Sequence, residues 1–555
     1  MTEQLRSAGE RLRAALDHYI SVCSDMQHCN PNGLPSCLSS IELSHQLDDE
    51  LAFFPSYDTG IQRAKRAISE VRNYTSPLVP INKLHPEIMT RIFYMILAKP
   101  CHLRLLPGCR RVKSLDHHDY LLHVCSRWRH ILLSDSLLWA HIDLAPGHSK
   151  LLVSRAISQA EWICALPLDI HITDADMKEY DDDDDHELFQ FLGLVASRIK
   201  TLEFDVTADD WDVFHSAVLE ALLPNCSSHF TKLVLRSQDG YDNTFIIGSG
   251  DSDDSDDSDD SDDESDYPQR PRRGGLPLHI RGQKFEESLA SLAVLHLDGI
   301  FPPWGSKAYH GLVDLRLASA DCDWHLMKEL ELKAILKASP QLRILHLALH
   351  FTDTFPELKD TNPVYLKDLE VVSLSTCSDS DPEYSVPQLT RMLRLLAPGS
   401  RPLRLSLQII SFEQPLLTEL DRFLSRSNIE RLCTRGACLP MGELPRYAAR
   451  LKVLVFDSCT CESHHDSPSD YDTSPVSASL SHLHSWHIHN SQIDLRNLRS
   501  MVNLYPNGTI ALSECRFTDK DGRQVDLSET ELSTSFPTLK FIPDSNPTAD
   551  WDSLP

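Results

Sequence analysis

The sequence is poor in several things, and each shortage removes a class of function. Positive charge is scarce: 53 Lys and Arg face 81 Asp and Glu, a net charge of −28. Nucleic-acid binding draws most of its affinity from neutralised phosphates, so no nucleic-acid partner is expected. No stretch approaches about 18 uninterrupted apolar residues, so no membrane partner or span is expected. The N-terminus lacks the basic-then-apolar order of a secretory signal. The 15 cysteines show no Cys-x-x-Cys pairing. Reduced thiols in a cytoplasmic or nuclear protein are the expectation. There is no Gly-x-Ser-x-Gly elbow and no Gly-x-x-x-x-Gly-Lys phosphate loop. The chain therefore reads as a non-enzyme without a cofactor.

Metal ligands are present only as weak candidates. Cys459, Cys461, His464 and His465 form one group, and His482, His484, His487 and His489 another. Both residue types suit zinc. The first group runs into a Ser/Asp-rich loop, and in a strand His487 and His489 share the solvent face. No metal is expected.

What is present divides by length. At 555 residues the chain has room for one long repeat array plus a smaller module. Residues 1–75 read as helices. Leu5, Leu12, Leu16, Tyr19 and Cys23 fall at helical intervals over 2–28, and Asn30-Pro31-Asn32-Gly33 breaks the run. A second helix near 58–74 carries Ile61, Ala64, Ile68 and Val71 as a short coiled-coil-like seam. A helical hairpin and a dimerisation helix are both open readings.

Residues 76–145 read as a docking device. Pro86 and Glu87 start a helix, proline being tolerated there and a carboxylate complementing the dipole. Ile88, Ile92 and Ile96 recur every four residues, with Met89, Phe93 and Leu97 beside them. That stripe is too wide for one small helix to hide alone. A second helix over Asp119 to Leu132 puts Leu121, Val124, Trp128 and Ile131 on one face, and Leu137, Leu138 and Trp139 follow as an apolar plug. The order Leu84-x-Pro86-Glu87-Ile88, Ile92-Phe93, Val124-Cys125-x-x-Trp128-Arg129, Leu138-Trp139 resembles an F-box, of the F-box-like type common in fungi. The resemblance implies a three-helix module that binds the Skp adaptor of a cullin ubiquitin ligase. The implied adaptor-binding anchors are Leu84, Pro86, Ile88, Ile92, Phe93, Val124, Trp128, Leu138 and Trp139. Residues 98–118 depart from the pattern, with a longer connection and a basic island of Lys99, Arg104, Arg110, Arg111 and Lys113.

Over 150–545 the pattern becomes Leu-x-x-Leu-x-Leu. Clear units begin at Leu292, Leu312, Leu342, Leu369, Leu451 and Leu483, with weaker ones at Ile199 and Phe230 and around Leu405 and Leu432. A leucine-rich repeat places Asn or Cys at its ninth position and an apolar residue at its eleventh. Cys377, Cys459 and Cys515 fall at the ninth, and Leu439, Ile493 and Phe517 at the eleventh. Segments such as Asp323–Ala338 and Pro387–Leu396 carry helical periodicity. The expected fold class is therefore α+β to α/β: N-terminal helices and a three-helix F-box, followed by an irregular leucine-rich-repeat solenoid. Strand alternation then puts Asp314, Arg316, His346, Ser373, Arg404 and His487 on the concave sheet, the natural face for an unknown target protein.

Residues 248–275 interrupt the array with Ser and Asp, which cannot bury enough surface to offset chain entropy; a disordered loop is expected. Ser261-Asp262-Asp263-Glu264 suits an acid-directed kinase, and phosphate on Ser261 would prime Ser258. Taken together, the expectation is a substrate-recognition subunit of a Skp–cullin–F-box ligase. The alternative is a non-ligase interaction scaffold with an F-box remnant.

Overall fold

The computed structural model describes residues 2–28, 40–74, 80–97, 117–145, 150–163, 166–174, 186–206, 213–237, 244–249, 275–319, 327–352, 362–376, 382–440, 444, 450–461, 480, 482–519, 523–525, 529–542, 548 and 551. The chain divides into two compact units, Met1–Ile92 with His118–Leu132, and Phe93–His117 with Leu133–Pro555. Residues 76–145 are shared between them.

The first unit is helical. Helix α1 (Thr2–His28) and helix α2 (Ser40–Tyr74) are tied by the Tyr19 hydroxyl, which donates to the Glu50 carboxylate at 2.9 Å, and by the Tyr19 ring meeting Phe54 edge-on at 6.2 Å. Helix α2 starts well before the expected residue 58 and carries Pro55 in its interior. A proline removes one N–H from the ladder but leaves the flanking turns intact. Helix α3 (Pro86–Leu97) opens on the His85 carbonyl, which accepts from the Ile88 and Met89 N–H groups at 3.1 Å each. Pro86 occupies the first turn, where no N–H is needed. The single helix expected over 119–132 is two: α4 (His117–Val124) and α5 (Ser126–Ser134). They part at Cys125, whose Sγ accepts from the Trp128 N–H at 3.5 Å, while the Arg129 guanidinium takes the Leu122 carbonyl at 3.0 Å. Both contacts satisfy groups that a helix end leaves orphaned. Because of the break, Val124 is exposed and Ile131 buried rather than sharing a face.

The second unit is built on one large, mostly parallel sheet, so the chain is α/β. Strands His141–Leu144, Leu168–Thr173, Ile199–Val206, Lys232–Ser237, Val294–Asp298, Asp314–Ala318 and Ile344–Ala348 follow one another in chain order and pair in parallel. Val371–Leu374, Leu403–Ile409, Ile429–Ala437, Val453–Cys461, Ser485–His489, Ile510–Ser513 and Leu539–Phe541 continue the series. The register aligns the Leu-x-x-Leu-x-Leu positions. One column runs Ile142, Ile170, Leu202, Leu233, Leu295 and Leu315, on through Leu345, Leu405 and Leu454 to Leu539, and all of these are buried. Two residues on, a second column is apolar except at Thr434, itself fully buried. Each fully buried leucine contributes roughly 1.5–3 kcal/mol, and neighbours in the column supply the cover.

Most crossovers carry a helix, among them Lys150–Ile163, Val213–Leu222, Glu329–Ala338, Pro382–Leu395, Gln414–Arg426 and Leu495–Leu504. Buried ion pairs join some of them: Arg394 donates to both oxygens of Glu329 at 2.8 and 2.9 Å. Arg426 bonds Glu419 at 3.1 Å and also the Leu393 and Leu396 carbonyls at 2.6 and 2.9 Å.

Late in the sheet a left-handed residue falls within or just after four strands, at Gly436 (φ 86°), Ser458 (φ 53°), Asn490 (φ 44°) and Glu514 (φ 53°). At Gly436 a Cβ would fall 2.4 Å from the Ile409 carbonyl oxygen, so only glycine fits there. The bend aims the next side chain back at the neighbouring strand. Cys459 Sγ donates to the Thr434 carbonyl at 3.2 Å, and Cys515 Sγ to that of Ile488 at 3.3 Å. The Cys459 N–H is met by Ser491 Oγ at 3.0 Å. Leu439, Ile493 and Phe517 are buried three residues beyond Gly436, Asn490 and Glu514. Cys377 lies outside the described residues. Burial pushes the Cys459 thiol up to about 12, consistent with a structural, unreactive sulfur. The expectation of reduced thiols throughout needs a correction. Cys23, Cys125, Cys226, Cys433, Cys459 and Cys515 are free, but Cys438 is disulfide-bonded. Local spacing carries no information on which cysteines come within bonding distance in space.

A small parallel sheet of Thr244–Ser249, Gly275–Arg281 and Ile300–Phe301 brackets the acidic segment, with Phe245 opposite Gly275 and Ile246 opposite Leu276. Residues 250–274, including Ser258 and Ser261, lie outside the described residues, as do Asp181–Asp185 and the basic island.

Candidate functional site

The nine anchor positions separate by unit. Leu84, Pro86, Ile88, Ile92, Val124 and Trp128 belong to the helical unit, and each is exposed or half-buried; Ile88 is 49% and Val124 54% exposed. The Arg127 guanidinium donates to the Leu84 carbonyl at 2.7 Å, which fixes the start of α3 against α5 within this unit. Phe93, Leu138 and Trp139 fall in the larger unit and are buried in the chain. Trp139 meets Trp162 with the rings tilted and their centroids 5.2 Å apart, and Gln159 donates to its carbonyl at 2.6 Å. These three therefore serve the core of this chain. The stripe on α3 is really two: Met89, Phe93 and Leu97 are buried, while Ile88 and Ile96 are exposed. Asp135 supports the following turn, accepting from the Leu137 N–H at 3.1 Å.

The six candidate target residues all lie on the sheet face opposite the leucine columns, as alternation requires. Arg316, His346 and Ser373 are consecutive in one column, and His487 falls in the same column further along. Asp314 and Arg404 share the column two residues before it. The face is charged and internally paired. Arg316 holds Asp314 at 3.0 and 3.1 Å, and His296 lies 3.1 Å from the same carboxylate. Burial pushes Asp314 upward, but the hydrogen bonds from His296 and Arg316 outweigh it and leave the carboxyl below its ordinary value. Nearer the start of the sheet, buried His171 sits between Asp205 at 2.9 Å and Asp143 at 3.4 Å. Asp205 is likewise held low despite burial, by His171 and then Arg236. Burial alone pushes the His487 imidazole below its usual value. An open cleft of about 430 Å³ is lined by Glu370, Arg401, Pro402, Leu403, Arg404, Glu430 and Arg431.

One feature of this face escaped the sequence reading. Cys433, Val453 and Val455 form an apolar patch on it, and Trp551 packs against them with only 4% of its surface exposed. A lone tryptophan among aspartates carries no periodicity, so no signal marked it.

Among the described residues no three His, Cys, Asp or Glu side chains gather as metal ligands, and no helix is long and apolar enough to cross a membrane. His464, His465 and the Cys461 side chain are outside that description. No protein-family model matches this sequence, and a search of curated proteins finds no match.

Proposed function

We propose that the chain is the substrate-recognition subunit of a Skp–cullin–F-box ubiquitin ligase, working in the cytoplasm or nucleus. In this reading the F-box-like helices dock the Skp adaptor and, through it, the cullin. The strand series acts as an irregular leucine-rich-repeat solenoid whose open face holds a target protein. The observation that carries the reading is the apolar surface exposed at the F-box-like positions Pro86, Ile88 and Val124, with Leu84 and Ile92 half-buried. Support for the repeat reading comes from the chain-order parallel pairing and the aligned leucine columns.

The chain would perform no chemistry itself. Holding a target beside a conjugating enzyme raises the effective concentration of target lysines, which is sufficient for catalysis supplied in trans. The adaptor grip would rest on a few apolar anchors worth roughly 1.5–3 kcal/mol each when desolvated, concentrated at the centre of the interface. With Phe93, Leu138 and Trp139 committed to this chain's core, those anchors narrow to the six of the helical unit.

One observation favours a second reading. The burial of those three residues would equally suit a non-ligase scaffold in which the F-box remnant serves only this chain's own fold. Co-purification with a Skp adaptor decides between the two. The wild-type chain should retain adaptor, and Leu84→Ala with Pro86→Ala should lose it while the thermal unfolding of the sheet stays unchanged. Failure of the wild type to capture adaptor rejects the ligase reading; binding that survives the double variant rejects the assigned footprint.

A further inference from the structure

The apolar patch on the open sheet face is already filled by a side chain of this protein. Cys433 and Val455 are neighbours across adjoining strands, and Val453 lies on the same face two residues before Val455. Their column is otherwise polar or small nearby, with Ser373 and Ser406 on one side and His487 and Ala511 on the other. Trp551, in the segment after the last strand, closes over them, and Cys433 and Val455 are fully buried as a result of the packing they share. The Trp551 N–H donates to the Thr548 carbonyl at 2.9 Å, a turn that presents the indole.

We propose that Cys433, Val453 and Val455 form an aromatic-accepting site, that Trp551 occupies it as an intramolecular plug, and that the target presents a tryptophan flanked by acidic residues which takes the site by displacing Trp551. The acidic flanks follow from charge. Trp551 lies between Asp550 and Asp552 in sequence. The site's rim carries Arg404 and Arg431, register partners of each other, with Arg431 opposite Val453. Both arginines also line the open cleft beside the patch. A tryptophan supplies large contact area at little cost in side-chain freedom, the commonest anchor of a protein interface. Being tethered, Trp551 competes at the high local concentration typical of an intramolecular ligand. This inference deepens the reading of the open face as the target surface and is independent of adaptor docking.

The test uses the full-length chain and a fluorescent peptide of residues 545–555 as probe. Trp551→Ala should bind the peptide roughly 10- to 100-fold more tightly than the wild type, whose site is filled. A peptide with alanine in place of its tryptophan should not bind. Cys433 supplies a second readout, because burial pushes its thiol up to about 12 and keeps it slow to alkylate. Site-resolved maleimide labelling should find Cys433 protected in the wild type, reactive in Trp551→Ala, and protected again when the peptide is added. Equal peptide affinity for the two proteins, or binding by the alanine peptide, overturns the proposal. So does labelling of Cys433 that ignores the peptide. Adaptor co-purification measured on the same Trp551→Ala protein reports separately on the ligase reading.

Discussion

The two units treat their apolar side chains in opposite ways. In the helical unit Leu5, Leu12, Leu51, Phe53, Ile68 and Val71 stand exposed, and Ile88 and Val124 join them. In the sheet unit the leucine columns are enclosed from Ile142 to Leu539. The difference is one of geometry. Stacked parallel strands present identical columns to one another, so each unit buries its neighbour's face. Two paired helices cover one stripe each, and the apolar residues off that stripe stay exposed. The exposed apolar residues of the helices are the surface to which the proposed docking role is assigned, whereas the columns of the sheet mark stability.

Helix α3 contains both behaviours and gives the sharpest way to break the comparison. Phe93→Ala should lower unfolding stability by about 3–5 kcal/mol, the cost of a large cavity in a core that relaxes only partly. Chemical denaturation reads this directly, and a loss below about 1 kcal/mol would show that Phe93 is not core. Next in size is Glu419→Ala, which strips a buried carboxylate from Arg426. A loss of about 1–3 kcal/mol is expected for unpairing such a bond, with Arg426→Ala in the same background adding little if the two act as one unit. Asp494→Ala removes a helix cap that accepts the Arg496 N–H at 2.7 Å, and about 1 kcal/mol should go with it.

Acid should weaken the sheet face. The half-buried His487 imidazole has a lowered value in the folded chain, against an ordinary value of about 6.5 when unfolded. Between those values the unfolded chain holds more protons, so this contribution is full above about pH 6.5 and is lost as pH falls toward the folded value. His487→Gln should flatten that part of the stability profile, and an unchanged slope would reject the assignment. The smallest effect belongs to the surface: Ile88→Ala should change stability by no more than about 0.5 kcal/mol, while weakening adaptor capture. A large stability loss there would mean that the exposed stripe is core after all.

Much of this contrast is legible in the residues. The spacing of Leu315, Leu345 and Leu454 anticipates the buried columns, because alternation in a strand decides which side chains share a face. The same rule put Arg316, His346 and His487 on the opposite face. Cys459 and Cys515 were legible for the same reason, since a fixed count from the first leucine leads to the bend after each strand. Elsewhere local rules misled. The second helix is expected only from about residue 58, yet α2 begins at Ser40 and runs through Pro55. The stretch from Asp119 to Leu132 looked like one helix, yet the Cys125 sulfur and Arg129 cap two.

What the sequence determined by itself is therefore periodic: which residues of each recognised strand face inward. Periodicity is a property of neighbours along the chain, so reading it requires no knowledge of what lies across space. The tertiary structure decided everything that depends on distant partners. It assigned Phe93 and Trp139 to the core while leaving Ile88 outside, bonded Cys438 to another cysteine, and laid Trp551 on Val455. Each of those outcomes rests on contact between segments far apart in sequence, and the free energy of such contacts exists only once the chain has closed on itself.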